Sequence, residues 1–336
     1  MKKYFIIASM LIIATLLISA TGEIYETFQG KNSTNLMRNS TFRDNWTMFV
    51  KVNLNNDGID DFFMYDPIIG EAEAYIFKNN KLEQVYANKS FRKTWRTIIP
   101  IDFKATGTDA LMFYDPVAGA AELYNIDITK KQLVLIKKWD TGWRKNWKTF
   151  LAIDVDKDFT HELFLYDPIT GEAEILKFKP DGNVTSLRKY TGFRKNWQNI
   201  MEVNLNNDGI GDLFLYDPSA GVGEFYTLNE KLDLVLVKSN PSFRKNWRHI
   251  VTGDFGSGSK NGDVFMYDPV TGEAEFYRIT AKGDLQKLNQ TQATFRKNWS
   301  VILSGKFSPK PSYGLFFYDS SKYVANYKTI FGVNPW

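Results

Sequence analysis

Amide and carboxylate side chains recur at alternate positions in three short loops of this chain of 336 residues. In the first loop, side-chain oxygens stand at positions 1, 3, 5 and 9, position 6 is a glycine, and position 7 can offer a backbone carbonyl. Oxygen donors spaced in this way around a tight glycine turn suit Ca²⁺, which prefers hard oxygen ligands. The residues predicted to bind the ion in this loop are Asn53, Asn55, Asp57, Ile59 and Asp61.

A second loop repeats this pattern and a third varies it. The second loop has closely similar residues at the same positions, and its predicted ligands are Asn204, Asn206, Asp208, Ile210 and Asp212. The third carries more negative charge but has a phenylalanine in place of the glycine, and its predicted ligands are Asp154, Asp156, Asp158 and Glu162. Corresponding loops elsewhere lose most of these oxygen donors together, which a purely structural turn would not require. A polar turn closed by Asx hydrogen bonds, without metal, is the alternative.

Catalytic chemistry finds little support in the sequence. The chain has no cysteine, and no nucleophile–base pair is evident near its two histidines, His161 and His249. Carboxylates are plentiful, and a pair such as Glu172 and Glu174 could serve a glycoside hydrolase. Residues two apart on a strand share one face, however, and these two suit ion pairs across strands. We therefore predict that the protein is not an enzyme, with a hydrolase as the weaker alternative.

The loops belong to a unit that is repeated six times. A Phe-Arg-Lys-Asn-Trp phrase, or a close variant, opens each unit, and a Tyr-Asp phrase follows it. Each unit offers four short segments with strand patterning, separated by turn residues and without helical periodicity. Repeats of about 50 residues with four antiparallel strands are typical of β-propellers. We predict an all-β, six-bladed β-propeller of four-stranded antiparallel blades, with repeats starting near residues 42, 91, 143, 193, 243 and 295.

The two ends of the chain predict how the ring closes. The last unit reaches its third strand near residues 324–330, and the sequence stops soon afterwards. A spare strand at residues 35–38 precedes the first unit, so we predict that this N-terminal strand completes the sixth blade. Residues 22–25 resemble a further third strand, which leaves a partial seventh blade as the alternative.

The first residues predict export. Residues 1–20 have the form of a secretory signal peptide, with Lys2 and Lys3 before an apolar run, although an uncleaved membrane anchor is the alternative. Residues 21–336 would then form one propeller domain, secreted or at the cell surface, and we predict a monomer. The net charge of +4 falls to +2 without the two lysines, which is too small to indicate a nucleic-acid-binding protein.

The loops and the Asp-Leu-Phe-Leu-Tyr-Asp segment that follows them resemble the FG-GAP / VCBS-type repeats of integrin α propellers and of secreted microbial proteins. The resemblance covers nearly all of residues 40–330. It implies that calcium stiffens the blade edges through Asn53, Asn55, Asp57, Asp61 and their counterparts. The second, fifth and sixth repeats depart from the pattern. In function, the resemblance implies adhesion or ligand binding and little more.

Each repeat also carries a tryptophan three positions after an arginine. The tryptophan could wedge between blades while the arginine pairs with the aspartate of the Tyr-Asp phrase. Alternatively, the two side chains could form sugar pockets, because aromatic faces stack on sugar rings. The candidates are Arg43, Trp46, Arg92, Trp95, Arg144, Trp147, Arg194, Trp197, Arg244, Trp247, Arg296 and Trp299. We predict a lectin-like, multivalent module for an extracellular glycan, and the alternative is an adhesion scaffold for a cell-surface protein.

Overall fold

The computed structural model describes residues 20–28, 32–256, 262–288 and 295–320. These residues form 24 β-strands arranged as six antiparallel sheets of four strands each. No helix in the described part of the chain is long and apolar enough to span a membrane. The signal peptide predicted for residues 1–20, apart from Ala20, and the strand predicted for residues 324–330 lie outside the described residues.

Five blades are built from consecutive strands that run from the inside of the ring to its outside. The first blade comprises β3 (Met48–Val52), β4 (Asp61–Asp66), β5 (Glu71–Lys78) and β6 (Lys81–Asn88). The second comprises β7 (Thr97–Ile101), β8 (Ala110–Asp115), β9 (Ala120–Asp127) and β10 (Gln132–Trp139). The third comprises β11 (Thr149–Ile153), β12 (Glu162–Asp167), β13 (Glu172–Phe178) and β14 (Val184–Tyr190).

The fourth and fifth blades follow the same plan. The fourth comprises β15 (Asn199–Val203), β16 (Asp212–Asp217), β17 (Val222–Leu228) and β18 (Leu234–Asn240). The fifth comprises β19 (His249–Gly253), β20 (Asp263–Asp268), β21 (Glu273–Ile279) and β22 (Leu285–Lys287). The first strands of neighbouring blades contact each other all round the ring and therefore surround its axis.

The sixth blade joins the two ends of the chain. Its inner strands are β23 (Val301–Gly305) and β24 (Gly314–Asp319), and its outer strands are β1 (Ala20–Phe28) and β2 (Asn32–Phe42). The predicted six-bladed propeller is thus confirmed, with one difference. Two N-terminal strands close the ring instead of one, because β1 and β2 form a hairpin that fills both outer positions together. Residues 22–25 therefore belong to the sixth blade and not to a seventh.

The core lies between blades. The second strand of every blade is buried along its whole length, as the continuous apolar runs in the sequence predict for a strand covered on both faces. Each apolar cluster combines two neighbouring blades: Phe164 and Tyr166 of the third blade, for example, pack with Ile200, Leu213 and Leu215 of the fourth. No blade covers its own apolar faces, so the ring is stable only as a whole.

A tyrosine hydroxyl of each blade forms a hydrogen bond with the segment that leads into the next blade. The hydroxyl of Tyr166 donates a hydrogen bond to the carbonyl of Arg194 at 2.5 Å, and the Tyr-Asp phrase repeats this contact at all six junctions. The sixth contact runs from Tyr318 to the carbonyl of Arg43 and so fastens the ring across its closure. The repeated tyrosine is therefore a structural residue of the blade junction.

Candidate functional site

The six repeated tryptophans are buried at the blade junctions. Their exposed fractions lie between 1% and 5%, and each ring has an arginine guanidinium 4.0–4.6 Å from its centroid. The arginines in turn pair with carboxylates. Arg92 and Arg144 reach the aspartates of the Tyr-Asp phrase, Asp115 and Asp167, at 2.5 and 2.7 Å. These contacts are those of a scaffold.

A sugar ring cannot stack on a tryptophan whose faces are already covered. The interpretation of these side chains as sugar pockets therefore needs correction. Each proposed pocket needed an open tryptophan face, and the arginines, although partly exposed, are paired with carboxylates. The correction therefore applies to all six pairs: Arg43, Trp46, Arg92, Trp95, Arg144, Trp147, Arg194, Trp197, Arg244, Trp247, Arg296 and Trp299.

The loops of the first and fourth blades have the same internal hydrogen bonds. In the first, Asn53 Oδ1 accepts from the backbone of Asn56 at 2.8 Å, and Asp57 Oδ1 accepts from that of Ile59 at 2.9 Å. Asp61 is buried and accepts from two backbone amides at 2.9 and 3.0 Å. In the fourth, Asn204, Asp208 and Asp212 make the corresponding bonds. In both blades the predicted side-chain ligands therefore lie in the loop or at the first residue of the strand that follows it, and their oxygens accept hydrogen bonds from the backbone. Calcium binding there stays a prediction.

The loop of the third blade contains a carboxylate cluster. Single oxygens of Asp154, Asp156 and Glu162 lie within 4.8 Å of one another, close enough to hold one metal ion. A cation of the protein already lies there: Lys177 Nζ on β13 is 2.5 Å from Asp156, 2.7 Å from Asp158 and 2.9 Å from Glu162. Burial would lower the pKa of Lys177, but the bonds to these three carboxylates outweigh it and raise that pKa.

A second charged cluster lies in the central channel. The fourth residue of each first strand occupies the same level of the ring, and the six residues are Lys51, Pro100, Ala152, Glu202, Thr252 and Ser304. Only Lys51 and Glu202 are charged, and they belong to the first and fourth blades, which face each other across a six-bladed ring. The Glu202 side chain is exposed even though it lies deep among the inner strands, so solvent reaches it through the channel.

Neighbouring side chains shape this channel cluster. Lys51 Nζ lies 3.9 Å from Asp60 and 5.5 Å from the ring centroid of Tyr313. Both lie at the end of the channel near the three loops predicted to bind calcium, here called the calcium-like loops. Burial would lower the pKa of Lys51, but the charge of Asp60 and the weaker fields of Tyr313, Asp109 and Glu202 raise it. Lys51 is therefore a permanent cation at neutral pH.

Glu202 carries the complementary charge. The inner strands that surround the channel displace much of the bulk water around the Glu202 carboxylate, and this loss of solvation raises its pKa to about 7 against the opposing effect of Lys51. Gly211 lies beside the Glu202 carboxylate. A Cβ at this position would lie only 2.8 Å from Glu202 Oε1, so the glycine leaves space for the carboxylate. Neither channel residue was predicted from the sequence. The signal that could have found them is the variation of one strand position among otherwise similar repeats.

The two histidines lie apart. His161 Nδ1 accepts a hydrogen bond from the backbone of Asp102 at 3.3 Å, between the second and third blades. His249 starts β19, and burial lowers its pKa to about 4, so it is neutral at neutral pH. Its ring packs against that of Tyr267, with 5.8 Å between the centroids.

This chain is similar in fold to solved proteins but matches none in sequence family. No family model and no curated protein matches this sequence. A solved protein from Lactobacillus plantarum has a TM-score of 0.53 at 12% identity, with 84% of this chain and 85% of that chain covered. The periplasmic gluconolactonase PpgL of Pseudomonas aeruginosa has a TM-score of 0.53 at 10% identity, with 82% and 78% covered. At these identities the similarity extends to the fold, and the resemblance to FG-GAP / VCBS-type repeats stays a prediction.

The comparison corrects the functional interpretation. From the sequence we predicted a calcium-supported binding module, lectin-like or adhesive, without catalytic activity. We had taken the propeller resemblance to imply adhesion or ligand binding. The same fold is found in a gluconolactonase, which is an enzyme. The buried tryptophans remove the sugar pockets on which the lectin-like interpretation rested. Both the binding-module prediction and the prediction that the chain is not an enzyme are therefore wrong.

Proposed function

We propose that this chain is a hydrolase that opens lactones or related esters in its central channel. Glu202 is the general base, and Lys51 is the cation that stabilises negative charge on the substrate. The observation that carries the proposal is the placement of these two opposite charges on facing blades, at one level of a solvent-accessible channel. The fold shared with a gluconolactonase supports the choice of lactones as substrates.

The geometry suits addition of water to a carbonyl. Glu202 accepts a proton from a water molecule as the water oxygen bonds to the carbonyl carbon. The carbonyl oxygen becomes an oxyanion, which the ammonium of Lys51 stabilises across the channel. When the ring C–O bond breaks, the leaving alkoxide takes the proton back from Glu202, and the product is a hydroxy acid. Each step moves one proton and needs no oxidant or reductant.

We also propose an extracytoplasmic location, either secreted or at the cell surface. The N-terminal sequence resembles a secretory signal, and PpgL, which shares the fold, is periplasmic. Neither observation depends on the channel, so the location and the reaction can be tested separately.

The reaction is tested with purified chain and a panel of sugar lactones and simple esters. Acid release is followed at neutral pH and compared with the spontaneous rate, because lactones also open in water alone. We expect a rate proportional to protein concentration for at least one lactone, with saturation. A folded chain that accelerates none of these substrates would remove the proposal.

For the carboxylate cluster of the third blade we propose Ca²⁺, because all its donors are hard oxygens. The ion would have to displace Lys177, so we expect weak binding in the native chain. Lys177→Met keeps an unbranched side chain one atom shorter and removes its charge. It should tighten calcium binding by at least about tenfold, since one competing charge is lost. Calorimetric titration with CaCl₂ measures the change.

The matched control for this variant is Lys179→Met, two residues along the chain and exposed. It removes the same charge without touching the cluster and should leave calcium binding as it is. If both variants and the native chain bind calcium with the same affinity, or none of them binds it, the cluster is not a calcium site and serves only to bind Lys177.

A further inference from the structure

One face of the propeller carries a ring of exposed apolar side chains. This turn face consists of the Asp-Pro-X-X-Gly turns between second and third strands and the Phe-Arg-Lys-Asn-Trp segments between blades. The residue after proline is exposed in each described turn of the first five blades, and in four of them it is apolar. These tips are Ile68, Val117, Ile169 and Val270, with exposed fractions of 40%, 68%, 64% and 72%. In the fourth blade, Ser219 occupies the corresponding position after the proline.

A lysine accompanies each turn. The lysine comes from the segment that leads to the next blade, and its stem passes 3.0–3.6 Å from the point that a Cβ on the turn glycine would occupy. The five lysines are all exposed, and they are Lys93, Lys145, Lys195, Lys245 and Lys297. The turn face therefore alternates branched apolar tips with cations around the ring.

The chain also enters the fold at this face. β1 begins at Ala20, and Thr21 pairs with Asp319, the counterpart of the turn aspartates in the other blades. The sequence immediately before Ala20 is the apolar run of residues 4–18, the predicted signal or anchor. Any attachment of that run to a membrane would bring the turn face, and not the calcium-like loops, towards the lipid.

We infer that the turn face docks on the surface of an anionic lipid bilayer. The apolar tips would enter the headgroup region while the lysines contact lipid phosphates, as in other surface-bound proteins with apolar and basic side chains on one face. Separate tips spaced around a ring fit a fluid surface. A protein partner would instead favour one contiguous apolar patch. The inference does not depend on the reaction proposed for the channel.

Other exposed apolar side chains do not share this setting. Val134, Leu187 and Val235 lie on the outer strands β10, β14 and β18, at the rim of the ring and without the N-terminal entry point. Phe159 is 82% exposed but lies in the third calcium-like loop, at the opposite face. These residues supply matched controls.

The test is co-sedimentation with vesicles of phosphatidylcholine, with and without phosphatidylglycerol. The chain is started at Ala20, which keeps all 24 strands and removes the apolar run. We expect binding to the anionic vesicles that weakens with salt. Replacing Val117, Ile169 and Val270 together by serine, the natural residue of the fourth turn, should weaken binding at least about tenfold. Replacing Lys145, Lys195 and Lys297 by glutamine should weaken it about fivefold for each lysine.

The control replaces Val134, Leu187 and Val235 by serine, which removes three exposed branched apolar side chains from the rim. It should change binding by no more than about twofold. Failure of the folded chain to bind anionic vesicles would overturn the inference, and so would an equal loss in the control. Self-association in solution that only the turn variant abolishes would also overturn it, because the face would then meet a second copy of the chain.

Discussion

Glu202→Gln is expected to reduce the enzymatic rate of lactone opening by about 10²–10⁴-fold, the usual contribution of a general base. Glutamine has nearly the same shape as glutamate but cannot accept the proton of the attacking water. The space beside Gly211 accommodates either side chain, so the variant should fold as the native chain does. The measurement is kcat for the best lactone of the panel, with thermal unfolding as the test of folding.

Two comparisons make this result specific. Glu83→Gln changes an exposed glutamate on the outer strand β6 and should leave kcat unchanged. Lys51→Met removes the facing cation and should also lower kcat, because a developing oxyanion loses its stabilising charge. If Glu202→Gln keeps full activity while folded, the base lies elsewhere and the channel assignment is wrong.

The fold could be predicted because the same physical constraints are written six times. The apolar runs of the second strands, such as residues 213–216, indicate strands covered on both faces, and only a neighbouring blade can supply the second cover. The Asp-Pro-X-X-Gly turns fix the hairpins, since the glycine adopts a positive φ, as at Gly221 with 72°. Local signals and the global fold agree, and repetition makes that agreement visible.

The closure of the ring was predicted only in part. Strand patterning marks residues 22–25 as a third strand but does not say which blade receives it. Pairing of β1 with β24 decides this, and that contact joins opposite ends of the chain. No periodicity within a single repeat contains such long-range information.

The candidate site was harder to predict for the same reason. Lys51 and Glu202 stand in different repeats, each amid ordinary strand sequence, and only the closed ring brings them to one channel. The loops, in contrast, attract attention because their acids are adjacent in sequence. Even there, Lys177 was not predicted from the sequence, because it approaches the third loop from another strand of the same blade.

Trp197→Ala is expected to lower the free energy of unfolding by about 3–5 kcal/mol, the cost of removing a large buried aromatic side chain. Trp197 is 3% exposed and packs in the cluster between the third and fourth blades. Its loss would leave a cavity and take away the ring on which the Arg194 guanidinium lies, 4.2 Å from the centroid. Denaturant unfolding measures the change in stability.

The control is Phe159→Ala, which removes an aromatic side chain that is 82% exposed and should change stability by less than about 0.5 kcal/mol. Trp95→Ala, at the junction of the first and second blades, should match Trp197→Ala, because both tryptophans occupy the same wedge. Since the blades cover one another in a closed ring, the whole domain should unfold in a single transition. Either variant should move the midpoint of that transition to a lower denaturant concentration. Unfolding of Trp197→Ala at the native midpoint would show that these tryptophans do not hold the blades together.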